Sequence, residues 1–166
     1  MAEALLISNT DLSAYTSLNA NVDVDKIIQF VKIAQDIWVQ QYTGSNLLDK
    51  IKADIVAGTL SGNYLTLTNS YLKPMLIHFT MVEFLPFHAY TIANKGIYKH
   101  QSENANVVEK NEVDWLVEKE KNIAINYAQR FIDYMFVNQA NFPEYNNNTS
   151  GDVFPTTDSK IGNWYL

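Results

Sequence analysis

The residues of this chain that could do acid–base or metal chemistry are few, and their spacing keeps them apart. There are three histidines, His78, His88 and His100, and no cysteine. A helical zinc site needs two ligands four residues apart on one face, and no histidine pair has that spacing. Without cysteine, disulfides, thiolate metal sites and thiol nucleophiles are all excluded. His78 falls on the apolar side of a helical projection, where a hydrogen-bonded core histidine is the commoner role. Glu83 lies among Met81, Val82, Phe84 and Leu85. No second catalytic group accompanies it, and a flank position meeting solvent or a lysine is the simpler reading.

Phosphate and acyl-transfer signatures are missing as well. Gly58 and Gly62 are followed by no Lys-Ser or Lys-Thr, and no Gly-x-Ser-x-Gly elbow occurs. The expectation is a protein that is not an enzyme and takes no cofactor or metal. The rival reading is a small-molecule-binding bundle, in which His78 or His88 and the aromatic residues of the central helix line a pocket for a flat apolar ligand.

The element that would carry these residues is the stretch 69–94, helical in period and apolar on nearly every face. On a 100° projection Lys73, Thr80 and Thr91 form one narrow polar strip. A helix so apolar must be covered by other helices or another subunit. Lys73, His78, Glu83 and Pro86 interrupt it too often for a membrane span of about 20 residues. Pro74 is tolerable in its first turns, Pro86 predicts a kink in its middle, and Gly96 marks its end.

Around that helix the sequence predicts a bundle. Ser8 or Thr10 caps a short helix ending near Leu18. Asp23 caps a longer one, with Val24, Ile27, Ile28, Val31, Ala34, Trp38 and Tyr42 on one face and Gly44 at its end. Ser45 caps the next, with Leu48, Ile51 and Ile55 inward and Gly58 closing it. Residues 59–68 alternate apolar and polar around Gly62-Asn63, a pattern open to either a small hairpin or a plain loop. Residues 97–110 read as a polar linker. A last long helix starts at the Asn111 cap and runs to about Asn138. Its predicted inner face is Val113, Leu116, Val117, Ile123, Ala124, Tyr127, Phe131, Tyr134 and Met135.

The segment 140–166 differs in kind. Pro143 and Pro155 forbid a helix through it, and Asn, Ser, Thr and Gly dominate, yet it holds Phe142, Tyr145, Phe154, Ile161, Trp164, Tyr165 and Leu166. Ordering its backbone costs roughly 1–2 kcal/mol per residue, against about 1.5–3 for each large apolar side chain buried. These anchors do not clearly cover that cost alone, so the segment reads as an extended arm that binds a neighbour. The fold class is therefore all-α, with about four main helices, a short N-terminal helix and a C-terminal arm: residues 1–139 form the bundle and 140–166 the arm. Tyr98, Phe142, Tyr145, Phe154, Trp164, Tyr165 and Leu166 are the expected interaction residues. Deleting 140–166 is expected to leave the bundle folded.

At 166 residues the chain is long enough for one domain with its own core. Its net charge is −6 and Arg130 is its only arginine, a poor composition for gripping nucleic-acid phosphates. The start, MAEALLISNT, lacks the basic and apolar regions of a signal peptide, so action or assembly in cytosol is expected. Ten tyrosines suit extensive contact surface.

The order of elements resembles the head-tail connector proteins of tailed bacteriophages, also called adaptor or head-completion proteins. The likeness rests on "LLISNTDLSAYTSL", the acidic turn "NVDVD", the helix "KIIQFVKIAQDIWVQQYTG" and the opening "SNLLDKI". It is clearest over residues 5–55 and continues in outline to about Asn138. Ile7-Ser8 with Asp11-Leu12, and Tyr42-Thr43-Gly44, are its most telling pieces. The many Asn and near-absence of Arg suit an AT-rich genome such as those of crAss-like phages. The resemblance implies a virion structural subunit with no active site. It would assemble in the host cytoplasm and dock as a ring, usually twelvefold, beneath the portal protein. Such a ring offers a platform to the next tail component and lets DNA pass without specific binding or any membrane contact. In that family the C-terminal extension often reaches into the portal or an adjacent subunit. The polar linker 97–110 and the Asn-rich tail depart from the pattern.

Overall fold

The computed structural model describes residues 4–18, 24–88, 90–93, 96–99, 110–147 and 151–158. Asp23, His100, Ile161, Trp164, Tyr165 and Leu166 lie outside them, as does most of the expected linker. Within them the chain is an all-α bundle carrying one two-stranded hairpin.

The chain opens with α1 (Asn9–Tyr15), and its cap is Ser8. Ser8 Oγ accepts from the Asp11 N–H while the Asp11 carboxylate accepts from the Ser8 N–H at 2.8 Å and Oγ at 2.9 Å, a closed capping box. The first long helical run comprises α2 (Val24–Ala34), a π-helical turn over Gln35–Val39 and α3 (Gln40–Thr43). Ile27, Phe30, Val31 and Ala34 face the core as a 3.6-residue period requires. Ile28, expected among them, is half exposed. The wide turn adds a residue per turn and rotates the following face, so that Gln35 and Val39 are fully buried while Trp38 is only partly so.

Gly44 ends the run at φ 73° and ψ 165° and α4 (Ser45–Ala57) follows at once. Leu47, Leu48 and Ile51 are its buried face, and Gly58 closes it in the left-handed region as expected. The alternating stretch after it is neither hairpin nor loop. It forms α5 (Gly62–Leu67), which leads through a second π-helical turn, Thr68–Leu72, into α6 (Lys73–His88). This turn sits directly before Pro74, whose missing N–H and bulky ring interrupt the regular ladder.

α6 is the axis of the molecule, and Met75, Leu76, Ile77, Phe79, Thr80, Met81, Val82 and Phe84 are buried along it. Thr80 belongs to no exposed polar strip: it is fully buried and its hydroxyl donates to the Leu76 carbonyl at 2.8 Å, which satisfies it within the helix. The helix is shorter at its far end than the apolar run implied. Pro86 lies in its last turn, not at its middle, and the chain then turns into β1 (Tyr90–Ala93), antiparallel to β2 (Gly96–Lys99) with Thr91 opposite Tyr98. Tyr98, expected on a linker, is thus part of a strand.

α7 (Lys110–Asn138) packs along α6. Ala124, Ala128, Phe131, Ile132 and Met135 are its buried residues. Leu116 and Ile123, predicted to face inward, are exposed. A short 3-10 turn, Gln139–Asn141, leads to α8 (Pro143–Asn146), with Pro143 at the helix start where its lack of an N–H costs nothing.

The expected boundary at residue 139 does not hold, because the core continues past it. Phe142 is 0% exposed and Tyr145 is buried, both inside the same core as Leu48 and Phe131. Phe142 meets Tyr64 edge-on at 5.2 Å, and Tyr145 meets Phe131 at 6.1 Å. These two are core residues and not interaction anchors, because the turn after α7 folds α8 back onto α4. Residues 152–156 return further. The Ser45 N–H donates to the Val153 carbonyl at 3.0 Å and the Thr156 N–H to the Gln41 carbonyl at 2.9 Å. Ser45 therefore caps nothing. It is the first residue of α4, and its hydroxyl donates to Asp152 at 2.7 Å, placing a carboxylate at the positive end of that helix.

Candidate functional site

The seam between α6 and α7 is built on steps of seven residues. Tyr71 and His78 lie seven apart on one side, and Glu120, Tyr127 and Tyr134 seven apart on the other. Two helical turns take about seven residues, so each set shares a face. The helices run antiparallel, and the two ladders meet. His78 Nδ1 lies 2.7 Å from Glu120 Oε2, the His78 ring stacks on Tyr127 with centroids 5.5 Å apart, and Tyr71 stacks on Tyr134 at 4.3 Å. Arg130 lies over the Tyr127 ring at 5.5 Å. His78 is the hydrogen-bonded, largely buried histidine that its apolar neighbourhood predicted, with 13% of its side chain exposed.

Beside this seam α1 crosses the start of α6 and leaves a cleft of about 410 Å³. Pro74, Ile77, Tyr15 and Tyr127 give its apolar and aromatic lining, and Asp11, Asn69, Lys73 and His78 supply its polar groups. A cleft of this size falls in the range of small-ligand sites. Burial acts against the charged form of Asp11, but the Ser8 hydrogen bonds and the nearby Lys73 ammonium hold its carboxyl below the usual carboxylate range. The sequence held a sign of this arrangement in the matching heptad steps. The pairing itself joins residues 42 apart and could not be read from either helix alone.

The other histidine proposed for a pocket does not share this one. His88 is at the opposite end of α6, exposed and beside Phe84 at 4.9 Å. The aromatic residues of the central helix do not line the cleft either. Phe79 stacks on Trp38 at 4.6 Å within 3° of parallel, and Phe84 packs edge-on against Phe30. Glu83 accepts the Trp38 indole N–H at 2.8 Å, and Lys121 stands over the other part of that indole, 5.7 Å from its centroid. Glu83 thus positions a partly buried aromatic stack. Among the described residues no group of three or more His, Asp or Glu could hold a metal ion, and no helix is long and apolar enough to cross a membrane.

Of the expected interaction residues whose side chains are described, Phe142, Tyr145 and Phe154, it is Phe154 that stands open, at 66% exposure. It sits between Val153 and Pro155, both engaged on the α3–α4 junction, so a bound segment presents it outward.

A family model described as a family of unknown function, DUF6712, matches residues 39–155. The chain belongs to the DUF6712 family. The matched DUF6712 region begins in the first π-helical turn and ends at Pro155, so it contains the α6–α7 seam, α8 and the returning segment short of Thr156. The α1 wall of the cleft, with Asp11 and Tyr15, lies ahead of it. No curated protein and no solved structure matches the chain.

Proposed function

We propose that this DUF6712 chain is a virion structural protein whose copies form a ring joining the portal vertex of a tailed-phage head to the tail. The observation that carries the reading is where the bundle leaves apolar side chains uncovered. α2 and α7 both pack on α6, and both helical runs expose large apolar residues: Ile28 and Ile37 on one, Trp115, Phe136 and Val137 on the other. A head-to-tail ring needs two different faces on each subunit, each complementary to the other, and apolar residues on two flanking helices suit that requirement. The resemblance over residues 5–55 supports the same reading. Its partners would be further copies of itself, the portal protein and the next tail component, with DNA passing through the ring.

The test is quantitative mass spectrometry of density-purified particles from the source culture. A fixed copy number of roughly a dozen per particle, as a closed ring requires, is the expected result. Absence of the chain from intact, DNA-filled particles would overturn the reading.

A further inference from the structure

The cleft beside the α6–α7 seam contains several ionic groups, and all but one of them are already engaged. Asp11 takes the Ser8 N–H and hydroxyl at 2.8 and 2.9 Å. His78 takes Glu120 at 2.7 Å. Lys73, half-buried at the cleft wall, makes no hydrogen bond and no contact ion pair with any described residue, although its charge reaches Asp11. A half-buried ammonium that no described acceptor hydrogen-bonds is a ready site for an anion, which would compete there with the Asp11 carboxylate.

The rest of the lining sets the shape of that anion. Pro74 and Ile77 are its apolar lining, and Tyr15, 70% exposed, borders the same cleft. Tyr127 is not free to stack, since His78 lies on it and Arg130 over it. A planar ring would lie on Pro74 and Ile77, with Tyr15 covering it and its acidic group on Lys73. We infer that this cleft binds a small planar aromatic carboxylate, held by Lys73 and covered by Tyr15. The inference does not rest on the ring-forming role, and either stands if the other fails.

The experiment titrates isotopically labelled full-length protein with indole-3-acetate, followed by backbone amide NMR shifts, with neutral indole and cationic tryptamine as comparison probes. The expected result is saturable shifts centred on Tyr15, Lys73, Ile77 and Tyr127. Affinity for indole-3-acetate should exceed that for indole by at least tenfold, and tryptamine should bind most weakly. Lys73→Gln should bring indole-3-acetate down to the level of indole, while Tyr15→Ala weakens both. Equal affinity for the three probes would overturn the inference using wild-type protein alone. So would shifts centred elsewhere, or none at millimolar probe.

Discussion

Gly44 and Pro155 meet so closely that no side chain fits between them: a Cβ placed on Gly44 would stand 2.9 Å from Pro155 Cδ and 3.3 Å from the Val153 carbonyl oxygen. Gly44 also holds φ 73° with ψ 165°, a region essentially closed to other residues. Gly44→Ala should therefore cost about 1–3 kcal/mol from the backbone alone and push residues 152–156 off the α3–α4 junction. Urea unfolding measures the first effect. Faster amide exchange at Ser45 and Thr156 measures the second, and unchanged exchange there would show that the glycine serves only the helix end.

Phe142 should behave as a core residue. Phe142→Ala is expected to cost about 3–5 kcal/mol, while Phe154→Ala, at an exposed position, should stay within about 0.5. Truncation after Gln139 removes Phe142 and Tyr145 together and should abolish cooperative thermal unfolding, contrary to what the sequence alone implied. A cooperative transition in the truncated chain, followed by circular dichroism, would place the core elsewhere.

Gln35 fastens the start of the chain. Fully buried, it accepts the Leu6 N–H at 2.9 Å and donates to the Ala4 carbonyl at 3.0 Å. Gln35→Leu keeps the volume roughly but leaves both backbone groups without a partner, a loss of about 1–3 kcal/mol per buried orphan. Chemical denaturation gives the total, and exchange at Leu6 tells whether the segment has lifted away.

Stability should fall at both ends of the pH range, for opposite reasons. Asp11 is desolvated, but its Ser8 bonds and Lys73 leave its folded pKa below the unfolded value. Its contribution is present above about pH 4 and lost as pH falls through the folded pKa. Burial pushes the Tyr145 hydroxyl up to about 12 and raises Tyr42 and Tyr134 as well. Their contribution is complete below about pH 10 and lost as pH rises through their raised folded pKa values. Urea midpoints across pH should show both declines. Asp11→Asn should flatten the acid side and Tyr145→Phe the alkaline side.

The sequence made local features legible and hid the ones set by distance. Ser8, Gly58 and the end of α7 at Asn138 could be found because a cap or a terminating glycine acts within one turn of itself. The face of α2 was readable from Ile27 to Ala34 apart from Ile28, and failed at Gln35, because a π-helical turn changes the period and leaves no residue signature. α5 escaped notice since an alternating tract short enough for a strand also fits one face of a two-turn helix. The largest miss, Phe142 and Tyr145, came from entropy arithmetic that treated the segment as an arm. The aromatic residues lie close to the end of a long helix, where one turn suffices to bring them home, so little extra chain had to be ordered. The cleft and its His78–Glu120 pair depend on which helices become neighbours, and only the heptad steps hinted at that.

Gln35 and Gly44 lie on one helical run nine residues apart, or about 14 Å along the axis, and between them they receive both outer segments of the described chain: residues 4–6 at one end and 152–156 at the other. A mechanical load applied through the two ends of the chain would consequently be delivered first to a short length of a single helix. The hydrogen bonds at Leu6 and Val153 would peel before tension reached the α6–α7 seam. The two outer segments thus stand in series ahead of the cleft-bearing seam along such a line of force.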